Sequence, residues 1–371
     1  METNIITTEI ELNVKLERIH NLLAHSGLNA LLLRQTSNFA WATCGASSFI
    51  NRADSFGSTS LLITPTSRYV LTTNIEAPRL MQEEELIKQG WTFRVSPWHA
   101  EKDMIAELAS GMKLGADFGY PNALDVSNEI GSLRSQLTYE EGQRFKTLAK
   151  LCADGMKQAS HTVRPGMTEY EIAGLLSQAI ENKGVQTIVN LIATDERISS
   201  FRHPLPTSKK LDQYAMLVLC GRKWGLICSV TRLIHFGPLP PDLRNNAATI
   251  ARIDAEMIAA TRPGNTLGDV FHKAQTAYAS AGFPDEWQLH HQGGSAGYAP
   301  RENTATPASI QPILHGQAFA WNPSITGVKS EDTILIGEHT NEILTEMTDW
   351  PTIDVQIGDQ IIKRPAILEK Y

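Results

Sequence analysis

The pattern of apolar and polar positions predicts an α/β protein whose two halves have different element orders. A first helix is predicted over residues 9–25, where apolar side chains recur at the spacing of one helical face. Gly27 ends this helix, and the apolar run 30–33 predicts a short buried strand. Strand and helix patterns then alternate to about residue 118. The later predicted strands are 60–64, 69–73, 92–95 and 113–118, with helices near 76–89 and 100–110.

From about residue 136 the predicted helices are longer and the strands form hairpins. The first long helix has one apolar face and is broken by Pro165-Gly166. Thr168 and Glu171 then form a capping-box pattern for the next helix. The later predicted elements are a strand at 188–193, a hairpin of 215–219 with 226–234, and helices near 240–262 and 267–281. We therefore predict an N-terminal α/β domain over residues 1–135 and a second domain over residues 136–371.

Composition limits the class of protein. The chain has 371 residues, of which 42% are hydrophobic, and a formal charge of -7. This length allows two domains that each bury a core, and mild acidity without a basic block argues against a nucleic-acid partner. The N-terminus has no signal-peptide pattern and no apolar run reaches membrane-spanning length, so we expect a cytoplasmic protein that does not enter a membrane. The four cysteines lack C-x-x-C spacing and are expected to be buried thiols.

The residues that predict a functional site are concentrated in the stretch 289–345. An H-x-x-x-G-x-x-G segment is followed by Arg301-Glu302, and a later hairpin pattern carries Glu331-Asp332 between apolar residues. A desolvated carboxylate is unfavourable without a partner, so the acidic pair indicates a working site. A guanidinium beside a glycine-rich segment is also well suited to bidentate recognition of a carboxylate.

A histidine earlier in the chain is a candidate proton shuttle. His203 lies in a predicted loop, and an imidazole titrates near neutral pH, as a general acid or base must. Taken singly, each candidate also has a structural explanation. His203 could be a surface side chain, Arg301 could pair with Glu302, and Glu331 could be a salt-bridge partner within the sheet. We favour function because the fold would bring these residues together.

The second half resembles the creatinase, aminopeptidase P and methionine aminopeptidase family, which has the pita-bread fold. The resemblance covers about residues 138–345, and the N-terminal domain resembles the creatinase and prolidase branch more loosely. The resemblance is carried, in the family's order, by RPGMTEYEIA (164–173), Val230-Thr231-Arg232, the H-x-x-x-G-x-x-G segment, GQAFAWNPS (316–324) and KSEDTILIG (329–337).

The resemblance also implies that the family's metal site is missing. The metalloenzymes of this family hold two divalent ions with two Asp, one His and two Glu. Only one carboxylate is retained at the matching positions, which cannot hold such ions tightly. We therefore expect no metal and no other cofactor. The matching positions are Val218, Ser229, Gly294, Asn322 and Glu331.

The remaining residues resemble creatinase, the branch that hydrolyses a C–N bond without metal. By this resemblance His203 is the proton shuttle and Arg301 holds the substrate carboxylate. Glu331 would hold a cationic nitrogen group, but Thr231 stands where creatinase has a second glutamate for that group, which argues against creatine itself. The other implied site residues are His290, a retained site histidine, and Phe49 and Arg52, lent by the neighbouring subunit, with Asn322 and Glu302 as further candidates for substrate binding.

Two classes of function follow. The first is a metal-independent hydrolase or lyase, acting as a homodimer on a small carboxylate that also bears a nitrogen group. The second is an inactive pita-bread module used for binding; a metallo-aminopeptidase or prolidase is less expected. Titratable groups that converge on one cleft favour the enzyme, because a binding module has little reason to keep them.

Overall fold

The structure is a computed structural model that describes residues 2–100, 103–338 and 340–371. It forms two compact units, one running to Glu141 and including Trp224–Leu226, the other formed by Gly142–Lys223 and Ile227–Tyr371. The sequence places the boundary at 135/136. The first turn of the next helix belongs to the first unit, where the Glu141 carboxylate contacts the buried ammonium of Lys15 at 2.8 Å.

The first unit is built on one mixed six-stranded sheet in the order β4-β3-β2-β1-β5-β6. Strand β1 pairs antiparallel with β2 and parallel with β5, so the buried apolar run predicted at 30–33 lies in the middle of the sheet. The strands are β1 (Ala30–Gln35), β2 (Phe56–Ile63), β3 (Arg68–Thr73), β4 (Thr92–Ser96), β5 (Leu114–Ala116) and β6 (Leu124–Asp125). The helices are α1 (Glu2–Ser26), α2 (Thr36–Ala42), α3 (Ala77–Gln82), α4 (Met104–Leu108) and α5 (Ser127–Ser135).

Helix α1 confirms the first predicted helix. Its apolar face packs inward, with Leu12, Ile19 and Leu23 buried, and Gly27 ends it with a φ of 63°. The same helix also buries an ion pair, in which the ammonium of Lys15 lies 2.5 Å from the Glu11 carboxylate.

The second unit combines helices with two larger sheets. One sheet has the order β19-β9-β8-β7 and the other the order β11-β10-β12-β15-β16. The capping box predicted at Thr168 and Glu171 is present, and Thr266 and Asp269 form a second one that was not predicted. The elements up to the site are α6 (Tyr139–Thr162), α7 (Glu169–Glu181), β7 (Gln186–Thr194), α8 (Glu196–Ser200), β8 (Tyr214–Lys223), β9 (Leu226–Phe236), α9 (Pro241–Ala260) and α10 (Leu267–Ser280). The later strands are β10 (Gly293–Ala296), β11 (Asn303–Thr304), β12 (Ala318–Trp321), β13 (Ser324–Ile325), β14 (Val328–Lys329), β15 (Asp332–Ile336), β16 (Asn341–Ile343), β17 (Thr352–Ile357), β18 (Gln360–Pro365) and β19 (Leu368–Lys370).

The two sheets of the second unit meet where β9 passes the start of β15. The hydroxyl of Thr333 accepts from the backbone N–H of Ser229 at 3.0 Å and donates to its carbonyl at 2.9 Å. Two residues along each strand, the backbone N–H of Thr231 donates to the carbonyl of Glu331 at 3.2 Å. This junction holds Ser229, Thr231 and Glu331 next to one another.

The second unit contains three of the four cysteines. Cys152, Cys220 and Cys228 are buried free thiols, as expected from sequence, whereas Cys44 in the first unit is half-buried. Within the described ranges, no helix is long and apolar enough to cross a membrane.

Candidate functional site

Glu331 is the centre of the candidate site. Its side chain is 2% exposed, and both carboxylate oxygens are bonded to donors. Oε1 accepts from Arg301 at 3.0 Å, while Oε2 accepts from the Thr231 hydroxyl at 2.5 Å and lies 3.2 Å from the Lys329 ammonium. Burial acts to raise the pKa of Glu331, but Lys329 and Arg301 outweigh it and hold the pKa at about 2. The carboxylate is therefore ionised and is held by three donors.

Lys329 was not assigned a role from sequence, although it lies in the quoted KSED segment. It is 8% exposed and belongs to β14, which is followed at once by the turn into β15. Residues two apart on an extended chain point to the same side, so the spacing from Lys329 to Glu331 is the signal that could have found it. Its ammonium also lines a small cavity beside His290.

Three imidazoles lie close together, and one of them, that of His290, lines this cavity. Nε2 of His203 is 3.0 Å from Nε2 of His290, and the ring of His290 stacks on that of His291 with centroids 4.4 Å apart. The loop that carries His203 is fixed by its neighbour Arg202, which contacts the carboxylate of Glu286 at 2.6 Å. Glu286 begins the short 3₁₀ helix Glu286–Leu289 that leads directly into His290, so one ion pair brings the two histidine segments together.

All three imidazoles are neutral at neutral pH. Burial first, then the positive charge of Lys329, lowers the pKa of His290 to about 2. Partial removal from water, together with Arg301 and Lys329, lowers the pKa of His291 to about 4. The same effects, with Lys329 the leading charge, lower the pKa of His203 below its ordinary 6.5, against an opposing contribution from Glu331. His203 is therefore mainly neutral at neutral pH, and its Nδ1 is the basic nitrogen in the tautomer whose Nε2–H donates to His290.

Arg301 connects the carboxylate to β9. One terminal nitrogen donates to Glu331, and the other donates to the Ser229 hydroxyl at 3.2 Å and to the carbonyl of Pro300 at 2.6 Å. Its Nε–H is buried and has no hydrogen-bond partner among the residues that the structure describes. A buried donor without a partner is unfavourable, so this N–H is a ready binding point for an anion.

Two further residues predicted to bind substrate have side chains with protein partners. Thr231 is buried and its hydroxyl donates to Glu331, while one carboxylate oxygen of Glu302 accepts from the backbone N–H groups of Tyr298 and Ala299 at 2.8 and 3.1 Å. These contacts fix Glu331 and the loop before Arg301. Their role in substrate binding stays a prediction, as does that of Asn322, which follows β12 and is 3% exposed.

Asn322 has a feature that fits a ligand contact. Its backbone N–H donates to the carbonyl of Gln292 at 3.1 Å, but its side-chain Oδ1 is buried without a partner in the described part of the chain. Nδ1 of His290 is likewise buried and unpartnered there. Three of the residues predicted from sequence, counting Arg301, thus carry orphaned polar atoms.

Phe49 and Arg52 belong to the first unit. They lie in the loop between α2 and β2, where Phe49 is half-buried and Arg52 is exposed. Their predicted contribution to the site of a neighbouring subunit stays a prediction.

Asp332, adjacent to Glu331, points to the opposite side of the strand and has a structural role. Its carboxylate contacts Arg232 at 2.9 Å and Arg364 at 2.7 Å, and Arg364 also contacts Asp254 at 2.6 Å. All four side chains are at most 2% exposed. The two acidic neighbours predicted from sequence to need partners therefore both have them, one in the site and one in the core.

The fold and the comparisons with known proteins indicate the same class of protein. A prolidase of Pyrococcus horikoshii has a TM-score of 0.77 and 18% identity, covering 90% of this chain and 98% of that one. The N-terminal domain of the FACT subunit SPT16 from chickpea has a TM-score of 0.69 and 14% identity, covering 91% and 97%. An uncharacterised peptidase of Staphylococcus epidermidis is 25% identical over 241 residues, or 62% of this chain and 68% of its own. The architecture is thus that of the pita-bread proteins.

Residues 143–338 match metallopeptidase family M24, and the chain belongs to that family of hydrolases. The predicted family and fold class are confirmed. Whether a metal can bind here depends on the residues that the second unit places at the family's metal positions.

The residues at the family's metal positions do not fit a pair of divalent ions. Val218 is buried in the hydrophobic core, and the Ser229 hydroxyl is shared between Arg301 and the thiol of Cys220 at 3.3 Å. A side chain at Gly294 would place its Cβ 1.9 Å from the backbone oxygen of Asn303, so no ligand fits there. Asn322 is uncharged and the oxygens of Glu331 are held by two cations. The positive charge next to Glu331 comes from the side chains of Lys329 and Arg301.

One other group could ligate a metal. The ligand nitrogens of His203, His290 and His291 lie within 4.8 Å of one another. Neutral imidazoles are good ligands for transition metals. The neighbouring Lys329 and Arg301 oppose a cation at this place, since the same charges already lower the pKa of the three rings.

Proposed function

We propose that this protein is a metal-independent hydrolase that cleaves a C–N bond in a small carboxylate substrate. One observation carries the proposal: the single retained carboxylate, Glu331, is neutralised by the side chains of Arg301 and Lys329 beside an unprotonated His203. Protein cations take the place of metal charge, and an imidazole in place of a metal activates the water that is the nucleophile.

His203 acts as general base and then as general acid. It takes a proton from a water molecule whose oxygen attacks the carbon of the C–N bond. It then gives the proton to the leaving nitrogen as the bond breaks, so that one water is consumed and an amine or ammonia is released. His290 stays neutral and orients the ring of His203 through the 3.0 Å contact between their Nε2 atoms. The free Nε–H of Arg301 binds the substrate anion.

A substrate panel tests this activity. Small carboxylates bearing an amide, an amidine or a ureido group are incubated with the protein, and the release of ammonia or amine is measured. Wild-type protein is expected to hydrolyse at least one member, and His203→Ala at the same concentration is the control for contaminating hydrolases. A panel on which wild type and His203→Ala give the same background would contradict the proposal.

The structural similarity to the SPT16 domain does not by itself support the binding-module alternative. That similarity is at 14% identity, so it speaks for the fold alone. The three neutral imidazoles and the unpartnered atoms of His290, Arg301 and Asn322 favour an enzyme, because a binding surface gains nothing from buried polar atoms that lack partners.

We further propose that the enzyme works as a homodimer in which Arg52 of one chain and Arg301 of the other hold one substrate carboxylate. A two-fold dimer is the commonest oligomer, and guanidinium–carboxylate bonds are strong in a desolvated cleft. Arg52→Ala and Arg301→Ala are each expected to raise KM more than they lower kcat, because the carboxylate is bound alike in the ground and transition states. Steady-state kinetics measure the split.

Mixing the two variants decides whether Arg52 acts across the dimer. If it does, a heterodimer of Arg52→Ala with Arg301→Ala has one site carrying both lesions and one intact site, so activity partly returns. The heterodimer is verified by differential tagging before it is assayed. No recovery in a verified heterodimer would place Arg52 in the site of its own chain or outside it.

A further inference from the structure

The side chain of Lys329 is built into the site as a fixed positive charge. It is buried on β14, whose pairing of Ser324 with Lys329 fixes the backbone beneath it. Its ammonium lies 3.2 Å from Oε2 of Glu331 and lines a small cavity with His290. The rest of that cavity is mainly apolar, with Ile198, Met216 and Val328 among its walls, so the charge acts in a poorly solvated place.

Glu331 has little acceptor capacity left for a cationic substrate group. Three of the roughly four acceptor positions of its carboxylate are taken by Arg301, Lys329 and Thr231. A substrate guanidinium that paired with both oxygens would have to displace the Lys329 ammonium, which is 6% exposed and would then be buried without its partner. Such an unpaired buried charge is strongly unfavourable.

The net charge of the site is positive. Two cations, Arg301 and Lys329, face one carboxylate, Glu331, which leaves one unit of positive charge. The histidines add none near neutral pH, because burial and Lys329 lower the pKa of His203 and His290. A positive site attracts an anion and repels a second cation.

We propose that Lys329 is a specificity-determining residue, and that the site takes an anionic substrate whose nitrogen-bearing end is uncharged, an amide or ureido group, while it rejects the guanidinium isostere. This inference rests on the proposed function, since it names the substrate class of the same site. It replaces the expectation from sequence that Glu331 holds a cationic nitrogen of the substrate.

Two probes of nearly the same shape test the inference by binding alone. Ureidoacetate and guanidinoacetate differ by a carbonyl oxygen in place of a charged nitrogen, and both carry a carboxylate. Isothermal titration calorimetry at neutral pH is expected to show that wild type binds ureidoacetate at least about tenfold more tightly, because a like charge a few ångströms away in a poorly solvated site weakens the other probe.

Substitutions at Lys329 assign the preference to its charge. Lys329→Met leaves Glu331 paired with Arg301 and Thr231 but removes one of the two donors to Oε2. The preference for ureidoacetate over guanidinoacetate is therefore expected to vanish or reverse. Lys329→Arg keeps the charge and is expected to keep the preference. Lys146→Met is the matched control, because Lys146 forms an exposed ion pair with Glu342 and is expected to change nothing.

The outcomes separate this inference from the proposed function. Equal affinities, tighter guanidinoacetate, or no binding of either probe at millimolar concentration would overturn the inference. A preference unchanged in a folded Lys329→Met protein would also overturn it, and if that variant does not fold, the comparison of the two probes on wild type still decides. If ureidoacetate binds selectively but no carboxylate is hydrolysed, the proposed function fails and the specificity of the site stands.

Discussion

Replacing His203 with alanine is expected to lower kcat by about 10²–10⁴-fold, the usual contribution of a general acid or base. This corresponds to about 3–5 kcal/mol in the activation free energy. The fold is expected to stay intact, since the side chain of His203 is largely exposed and contacts the neighbouring imidazole of His290. Turnover is measured at saturating substrate, and circular dichroism checks the fold.

The control and the pH dependence make this test specific. His272→Ala removes an exposed imidazole from α10 and should leave kcat unchanged. Because the pKa of His203 is lowered from 6.5, its unprotonated form persists below that pH, so kcat/KM should be level near neutral pH and fall only on the acid side of 6.5. A His203→Ala protein that kept the wild-type rate would move the role to His290.

Replacing Arg364 with alanine is expected to lower the free energy of unfolding by about 3–5 kcal/mol, as breaking a buried ion pair by removing one partner does. The guanidinium is fully buried and contacts the carboxylates of Asp254 and Asp332. Truncation would leave Asp332 with Arg232 as its remaining cationic partner and would remove the arginine that contacts Asp254. Burial already raises the pKa of Asp254, despite the opposing effect of Arg364. Chemical denaturation measures the change.

A surface pair of the same chemistry is the matched control. Arg244 contacts Glu369 at 2.8 Å, but its side chain is 58% exposed. Arg244→Ala is therefore expected to change the unfolding free energy by about 0–1 kcal/mol. A second variant, Arg364→Met with Asp254→Asn, removes one charge of each sign and should recover part of the loss. Equal effects of Arg364→Ala and Arg244→Ala would show that the buried network contributes little.

Local sequence signals predicted the elements that depend on local chemistry. The helix before Gly27 and the capping box at Thr168 are confirmed because periodicity and side-chain caps act within a few residues. The helix predicted near 76–89 ends at Gln82. The chain cannot continue as a helix because Glu85 has a φ of 51°, a conformation that is rare for a side chain of this kind and has no mark in the sequence.

The candidate site was predictable only in part, because some of its contacts likewise have no mark in the local sequence. Resemblance to the family pointed to His203, His290, Arg301 and Glu331, and the second unit brings these four together. Lys329 and His291 were missed because their roles arise from contacts between distant segments. Whether Lys329 neutralises Glu331 depends on how β14 enters β15, and the stacking of His291 on His290 depends on the bend between the 3₁₀ helix and β10.

The central claim is that protein cations around Glu331 replace metal in a hydrolase of family M24. It is tested most directly by measuring metal content and C–N hydrolysis on one sample, purified without chelator and then divided and treated with a strong chelator. We expect less than one transition metal per chain before treatment and the same rate of hydrolysis after it. A stoichiometric metal whose removal abolishes hydrolysis, and whose return restores it, would show that the cations do not replace the metal.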